Sequence, residues 1–338
     1  MMSTLFPTPI LVCDIGGTNV RMGLIRHLGA PLELLDRHRT EDSASYEDIL
    51  KQVLETNSIH PLSLLISAAG PLHHRTLSLT NASWTLDGPK IAGQFGLSQG
   101  LLLNDFEALA LSLPSLGQDQ TQPFGAPQLA IPNGPQLILG PGTGLGVSLL
   151  LQTSGGYQAL PSEAGHMDFG PVTPEDFTLW PLIEKLHGRV SAESLLSGPG
   201  LSRLHQARLN SLGQFPSEVL PAAQISEEAL RDPQSEAANS LRVFWRLIAQ
   251  FSGDMAICFA ATAGITLAGG ILPKILPFAD PAAFRSTFSA KTPMQSLLEK
   301  MPIRLIMDDQ AVITGLAGIA SHPERYAIDY AQRLWVRA

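Results

Sequence analysis

The sequence predicts an α/β protein made of two related halves, and three observations carry that prediction. Short apolar runs of strand length are interleaved with longer helix-length stretches along the 338 residues, as expected for strands and helices in alternation. A strand, a glycine-rich turn and a second strand occur twice, once near residue 15 and again near residue 142. Between the two copies, Pro114 to Pro135 is dense in Pro, Gly and Gln and lacks periodicity, as a loop or a crossing between domains does.

The first copy begins with Ile10-Leu11-Val12-Cys13, turns through Asp14 to Asn19, and resumes alternation at Val20, Met22 and Leu24. The second runs from Leu137-Ile138-Leu139 through Gly140 to Gly146 and on to Val147 to Leu151, so that Thr18 and Thr143 occupy corresponding turns. In the first half Leu62 to Ala69 and Leu101 to Leu103 read as buried strands, and Phe106 to Leu113 as a short helix stopped by Pro114. In the second half helices are expected around Pro174 to His187, Ser191 to Leu196, Gly200 to Leu209 and Glu236 to Ala263. Strands follow at Ile265 to Ala268 and Ile303 to Met307.

Composition narrows the function. A net charge of -8 with no Lys/Arg-rich run argues against nucleic acid or an anionic membrane as partner. Cys13 and Cys258 are the only cysteines, too few for a disulfide framework or a thiolate zinc site. The first residues enter a strand-like run without the basic and apolar segments of a leader, so a cytoplasmic enzyme is expected. The most apolar stretch, Met255 to Ile271, contains Gly264, Gly269 and Gly270 and reads as a buried helix followed by a strand.

Glycine turns between strands let backbone N–H groups approach an anion. Gly16, Gly17, Gly142, Gly144 and Gly146 serve that purpose or simply make tight hairpins; two such turns would grip one polyphosphate. No Gly-Lys pair, no G-x-G-x-x-G before a helix, and neither H-R-D nor D-F-G is present, which excludes the P-loop, the dinucleotide fold and the protein kinases.

Phosphoryl transfer needs a group that orients or deprotonates the attacking hydroxyl. Asp105 is the candidate, against the alternative of a helix N-cap. Asp14 holds magnesium, directly or through water, or satisfies donors of its own turn. In the segment Pro161 to Phe169, Glu163 and His166 suit a polyol, whose hydroxyls both donate and accept. The plainer reading of His166 is a structural histidine. For Glu193 it is an acid in the first turn of a helix capped by Ser191.

Taken together, Asp14-Ile15-Gly16-Gly17-Thr18-Asn19, Thr80-Asn81-Ala82-Ser83-Trp84, Leu103-Asn104-Asp105-Phe106, Gly142-Thr143-Gly144-Leu145-Gly146, Glu163 through Phe169, Ser191-Ala192-Glu193 with Leu196 through Leu201, and Ala268-Gly269-Gly270-Ile271 resemble the bacterial glucokinase family over almost the whole chain. This is the non-zinc branch of the sugar kinase, Hsp70 and actin superfamily. The resemblance implies a two-domain, ribonuclease H-like α/β fold with a cleft between lobes, formed by residues 1–115 with 308–338 and by residues 116–307. It implies transfer of the ATP γ-phosphate to the 6-hydroxyl of glucose, with Mg2+, in a homodimer. The implied sugar ligands are Asn104, Asp105, Glu163, His166 and Glu193, with Asp105 as general base and the sugar bridging both lobes. Nucleotide contacts fall to Asp14, Gly16, Gly17, Thr18, Asn19, Gly142, Thr143, Gly144, Gly269 and Gly270, and the metal to Asp14.

Two features depart from the family pattern. Ser162 and Ala164 flank Glu163 where glycines are expected, and Asp308-Asp309-Gln310-Ala311-Val312 replaces an aspartate-asparagine-proline-glycine start to the C-terminal helix. The cysteine-rich zinc motif and N-terminal DNA-binding domain of the related repressor and kinase family are absent from the sequence. Two other functions compete: a kinase of the same fold for another hexose, and a catalytically weak sugar-binding regulator.

Overall fold

Ile10–Ile15 is buried at every position, as befits a strand with neighbours on both sides. In the computed structural model, which describes residues 5–80, 82–117, 119–125 and 134–336, it pairs antiparallel with Asn19–Ile25 and parallel with Ser63–Ala68. Ser63–Ala68 pairs parallel with Gln99–Asn104, and the short Trp335–Val336 strand closes that edge antiparallel. With Glu33–Leu34 and His38–Arg39 on the other side, these make a seven-stranded sheet. Asn81 of the Thr80 to Trp84 marker lies outside the described residues, as do 118 and 126–133 of the Pro114 to Pro135 segment.

The second sheet has six strands, in the order Thr121–Pro123, Ile303–Ile306, Gly264–Leu267, Gln136–Pro141, Leu145–Thr153, Gly156–Ser162. Gln136–Pro141 pairs antiparallel with Leu145–Thr153 and parallel with Gly264–Leu267, which pairs parallel with Ile303–Ile306. Both sheets therefore hold the same sequence of pairings: parallel, parallel, then an antiparallel hairpin with a glycine turn. The local echo in the sequence extends to four strands of topology.

The chain divides into two compact units. One comprises Met1–Gln120, Gln152–Leu160 and Asp308–Ala338; the other comprises Thr121–Leu151 and Pro161–Met307. In the first, Tyr46–Asn57 starts at Ser45, whose side chain accepts the Asp48 amide, and buries Tyr46, Ile49, Leu50 and Val53, the one-face spacing of an amphipathic helix. Ala311–Ser321 packs on Asp105–Ser112, and it does so closely, since a Cβ on Gly315 would collide with Ser112. The core of the second unit centres on Glu236–Cys258, sixteen of whose residues are buried.

Two helices are shorter than their periodicity predicts. Pro174–Leu179 gives way to a 3-10 turn, Trp180–Leu182, because Pro181 offers no N–H to continue the ladder. Glu236–Cys258 stops before Ala263, where Phe259 caps it and Ala260 turns to φ 46, a conformation incompatible with a right-handed helix. Among the described residues no helix is long and apolar enough to cross a membrane.

Trp335 has no exposed surface. It lies where Gly88 and Gly100 have no side chains, and a Cβ at either position would run into its indole. Trp335→Ala should lower unfolding free energy by about 3–5 kcal/mol, read as a shifted urea midpoint. An unchanged midpoint would mean that the C-terminal strand does not seal this sheet.

Candidate active site

The first unit delivers Asp14 from the end of a fully buried strand into the turn Gly16 to Asn19. The turn is closed by the Gly16 amide donating to the Asn19 carbonyl (2.9 Å), and Thr40 ties it down, its amide donating to Thr18 O (3.0 Å) and its hydroxyl to Gly16 O (3.3 Å). Asp14 is 9% exposed. Burial pushes its carboxyl up to about 6, opposed by the Arg21 guanidinium and the Ser67 hydroxyl and reinforced by the charges of Asp105 and Asp309.

Arg21 was not among the residues expected to matter. It stands directly across the hairpin from Asp14, with 3.5 Å between guanidinium and carboxylate, and also reaches Asp309 at 3.4 Å. Arg37 pairs with the same Asp309 carboxylate. Counting outward from the four-residue turn would have found Arg21; nothing in the sequence links residue 309 to it.

Asn104 and Asp105 sit where Gln99–Asn104 becomes Asp105–Ser112, and they divide the work. Asn104 is the N-cap: its Oδ1 accepts the amides of Phe106 (3.0 Å) and Glu107 (3.3 Å), while its Nδ2 donates to Gly70 O (3.2 Å). Asp105 is the first helical residue, half-buried, its Oδ1 accepting the Phe106 amide at 2.9 Å. The N-cap reading of Asp105 is thus displaced by its neighbour.

In the second unit the turn Gly142 to Gly144 is held by the Gly142 amide on Gly144 O (2.8 Å) and by the Gly198 amide on Gly142 O (2.8 Å). Gly269 passes against the strand that enters this turn: it has φ 91, and a Cβ on it would strike Pro141 O. The Ala268 amide donates to Leu139 O (2.9 Å), which brings Gly269-Gly270 beside the Thr143 turn.

Glu193 lies in the short helix Ala192–Leu195, capped by Ser191 as expected. Its carboxylate nevertheless turns away from its own helix: Oε2 accepts the Leu145 amide at 2.8 Å, in the space a Cβ on Gly144 would fill. Its Oε1 is 3.7 Å from His166 Nδ1, and Glu163 Oε2 is 3.6 Å from His166 Nε2. Both separations exceed hydrogen-bond length, so the imidazole stands between two carboxylates without being consumed by either. His166 is 61% and Glu163 92% exposed at the side chain, which sets aside a buried structural role for the histidine.

The two departures around Glu163 are accommodated locally. Ser162 accepts the Ala164 amide at 3.2 Å and Ala164 buries its methyl. The position that requires glycine is Gly165, whose Cβ would meet Leu145 O. Arg189, also unanticipated, braces the loop by donating to His166 O (2.8 Å) and Asp168 (2.6 Å). A cavity of about 350 Å³ adjoins this cluster, lined by Thr143, His166, Glu193 and Ser197 among others. A larger one of about 750 Å³ lies elsewhere in the unit and touches none of these residues.

Each unit thus presents a glycine turn together with polar side chains, Asn104 and Asp105 in one, Glu163, His166 and Glu193 in the other. Among the described residues no group of three or more His, Cys, Asp or Glu side chains is arranged to hold a metal.

Comparison with known proteins is consistent along the chain. The family model described as Glucokinase matches residues 11–323. A glucokinase of Sinorhizobium medicae (strain WSM419) is 34% identical over 333 residues, covering 98% of both chains. The solved structure of a glucokinase from an Antarctic psychrotroph superposes with a TM-score of 0.80 at 31% identity, covering 92% of this chain and 98% of that one. A ROK family glucokinase from Streptomyces griseus, solved with glucose and AMPPNP, shares the fold at a TM-score of 0.60 and 20% identity, with 92% of this chain and 98% of that one covered. With the family model matched over more than nine-tenths of its length, the chain belongs to the glucokinase family.

Proposed function

We propose that this chain transfers the γ-phosphate of ATP to the 6-hydroxyl of glucose. The observation that carries the reading is the joining of Glu193 to the second glycine turn through the Leu145 amide, with His166 and Glu163 beside it. A polyol-recognising cluster adjacent to a phosphate-type turn is what a sugar kinase requires, and the family membership and the ligands of the Streptomyces griseus relative support the choice of glucose and ATP.

In this reading the turns Gly16 to Asn19 and Gly142 to Gly144 take phosphate oxygens through amides other than those of Gly16 and Gly142, which close the turns themselves, and Gly269-Gly270 lies by the adenosine. Asn104, Asp105, Glu163, His166 and Glu193 take sugar hydroxyls. Asp105 accepts the proton of the attacking hydroxyl. Magnesium keeps most of its waters and needs only one or two protein carboxylates alongside nucleotide phosphates, which fits the Asp14 carboxylate, shared with Arg21, better than a protein cage; bound there with ATP it would neutralise phosphate charge. We also place the protein in the cytoplasm as a homodimer, on its resemblance to the family.

A matrix of phosphate donors against hexoses, read as sugar 6-phosphate, tests the whole reading. ATP with magnesium and glucose should give the highest kcat/KM. A higher value for mannose, fructose or an N-acetylated aminosugar would reassign the substrate, and stoichiometric sugar binding without turnover would make the protein a sensor.

Asp105→Asn should depress kcat by about a hundredfold to ten-thousandfold while leaving the melting temperature near that of the wild type, since Asn104 carries the cap. Near-normal turnover would remove Asp105 from the chemistry. Glu193→Gln keeps an acceptor for the Leu145 amide but loses the charge, so it should raise the KM for glucose by about ten to a hundredfold; an unchanged KM would exclude Glu193 from sugar recognition.

Asp14 carries a stability signature of its own. Its folded value of about 6 lies above the ordinary 3.8, so its contribution to stability is complete below pH 3.8 and is lost as pH rises through 6, a change of about 3 kcal/mol. In ligand-free protein, the stability of Asp14→Asn relative to wild type should therefore increase from pH 4 to pH 7. Parallel pH profiles for the two proteins would show that Asp14 ionises without penalty.

A further inference from the structure

The cavity of about 750 Å³ in the second unit lies between two helices, Glu236–Cys258 and Pro281–Ser289, a volume within the range of small-molecule sites. Asn239, Arg242, Val243 and Arg246 face it from the first helix at the one-face spacing of 0, 3, 4 and 7. Its floor is apolar, with Val243, Phe278 and Phe284 each under a tenth exposed, and the exposed Ala283 forms part of one wall.

Three arginines rim it, and they differ in how their charge is met. Arg208 is held between Glu175 and Glu236, each at 2.7 Å, and Arg246 pairs with the buried Asp176 at 2.6 Å and with Glu175 at 3.2 Å. Arg242 instead donates to two neutral acceptors, Asn239 Oδ1 and Pro233 O, both at 2.7 Å. Among the described residues no carboxylate lies within ion-pair distance of it. At another part of the lining the Asp280 carboxylate accepts the amides of Ala282 and Ala283, so an anionic group is disfavoured there and favoured at Arg242.

We propose that this groove is a second ligand site, one that takes a lipophilic organic anion: the apolar body lies over Val243, Phe278 and Phe284, and the anionic head, carboxylate, sulfonate or phosphate, pairs with Arg242. None of its lining residues belongs to the sugar or phosphate groups described above. The helix that forms one wall packs on Gln136–Pro141, the strand that enters the Thr143 turn, so an occupant would touch an element directly supporting that turn.

The test uses two dyes of the same body, 1-anilinonaphthalene-8-sulfonate and the neutral N-phenyl-1-naphthylamine, titrated by fluorescence into the intact protein. Wild type should bind one equivalent of the sulfonate saturably. Arg242→Gln should weaken the sulfonate about tenfold or more and leave the neutral dye unchanged, whereas Ala283→Trp, at an exposed wall position, should abolish both by filling the groove. Hexose kinase turnover and melting temperature verify that each variant is folded. Sulfonate binding that survives Ala283→Trp, or that Arg242→Gln leaves unaltered, would overturn the proposal, as would equal weakening of both dyes by Arg242→Gln.

Discussion

The Glu193 carboxylate can accept the Leu145 amide only because Gly144 has no Cβ. That one contact fixes much of the second unit's chemistry. Leu145 opens the strand leaving the glycine turn, so the acid is tied to the turn's backbone rather than to its own four-residue helix. With Oε2 committed, Oε1 is left toward His166, and the histidine's placement in turn depends on Gly165 lying against Leu145 O. The glycine turn and the cluster of Glu193 and His166 thus share a pair of adjacent residues, Gly144 and Leu145. A shift in either would move both, and such coupling suits a reaction whose two substrates must meet within about an ångström of ideal geometry.

The two sheets repeat one topology, and the repeat shows where they diverge. Aligning the last residue of each entering strand, Ile15 with Pro141, places Asp14 opposite Gly140 and Arg21 opposite Gly146 in the paired registers. The first hairpin uses that position for an ion pair. The second leaves it bare, and the space goes to backbone: a Cβ on Gly140 would strike Ala268 O. The first turn therefore carries charge and the second a close backbone approach. Charge at a buried position has a cost, visible in the raised Asp14 carboxyl, and Arg21 offsets only part of it.

Local features of the fold were legible in the sequence. Both hairpins, the 63–68 and 99–104 strands and the helix start near Asn104 follow from runs of a few residues in which apolar spacing, glycine and proline act directly. The helix extents failed where a single residue overrode a long periodic run, at Pro181 and Ala260. The site was legible in its residue types and less so in its links. Arg21 could be reached by counting register, but Asp309 lies 288 residues from it, and Trp335 fills space left by Gly88 and Gly100 that only the folded sheet brings together. Interactions of that range leave no periodic trace, because they are set by which strand neighbours which.

The junction at Asn104 and Asp105 shows how a strand-to-helix turn carries an acid beside a neutral cap. Both side chains accept the Phe106 amide, Asn104 at 3.0 Å and Asp105 at 2.9 Å, and Asn104 also reaches the Glu107 amide and donates back to Gly70 O. The asparagine is neutral, so it holds the first turn at any pH. The carboxylate beside it sits at the positive end of the helix, where an anion is tolerated, and near enough to Asp14 for the two charges to oppose each other. Were an aspartate the cap instead, protonating it would weaken the helix start. With the cap on Asn104, the backbone that positions Asp105 is held by a neutral side chain.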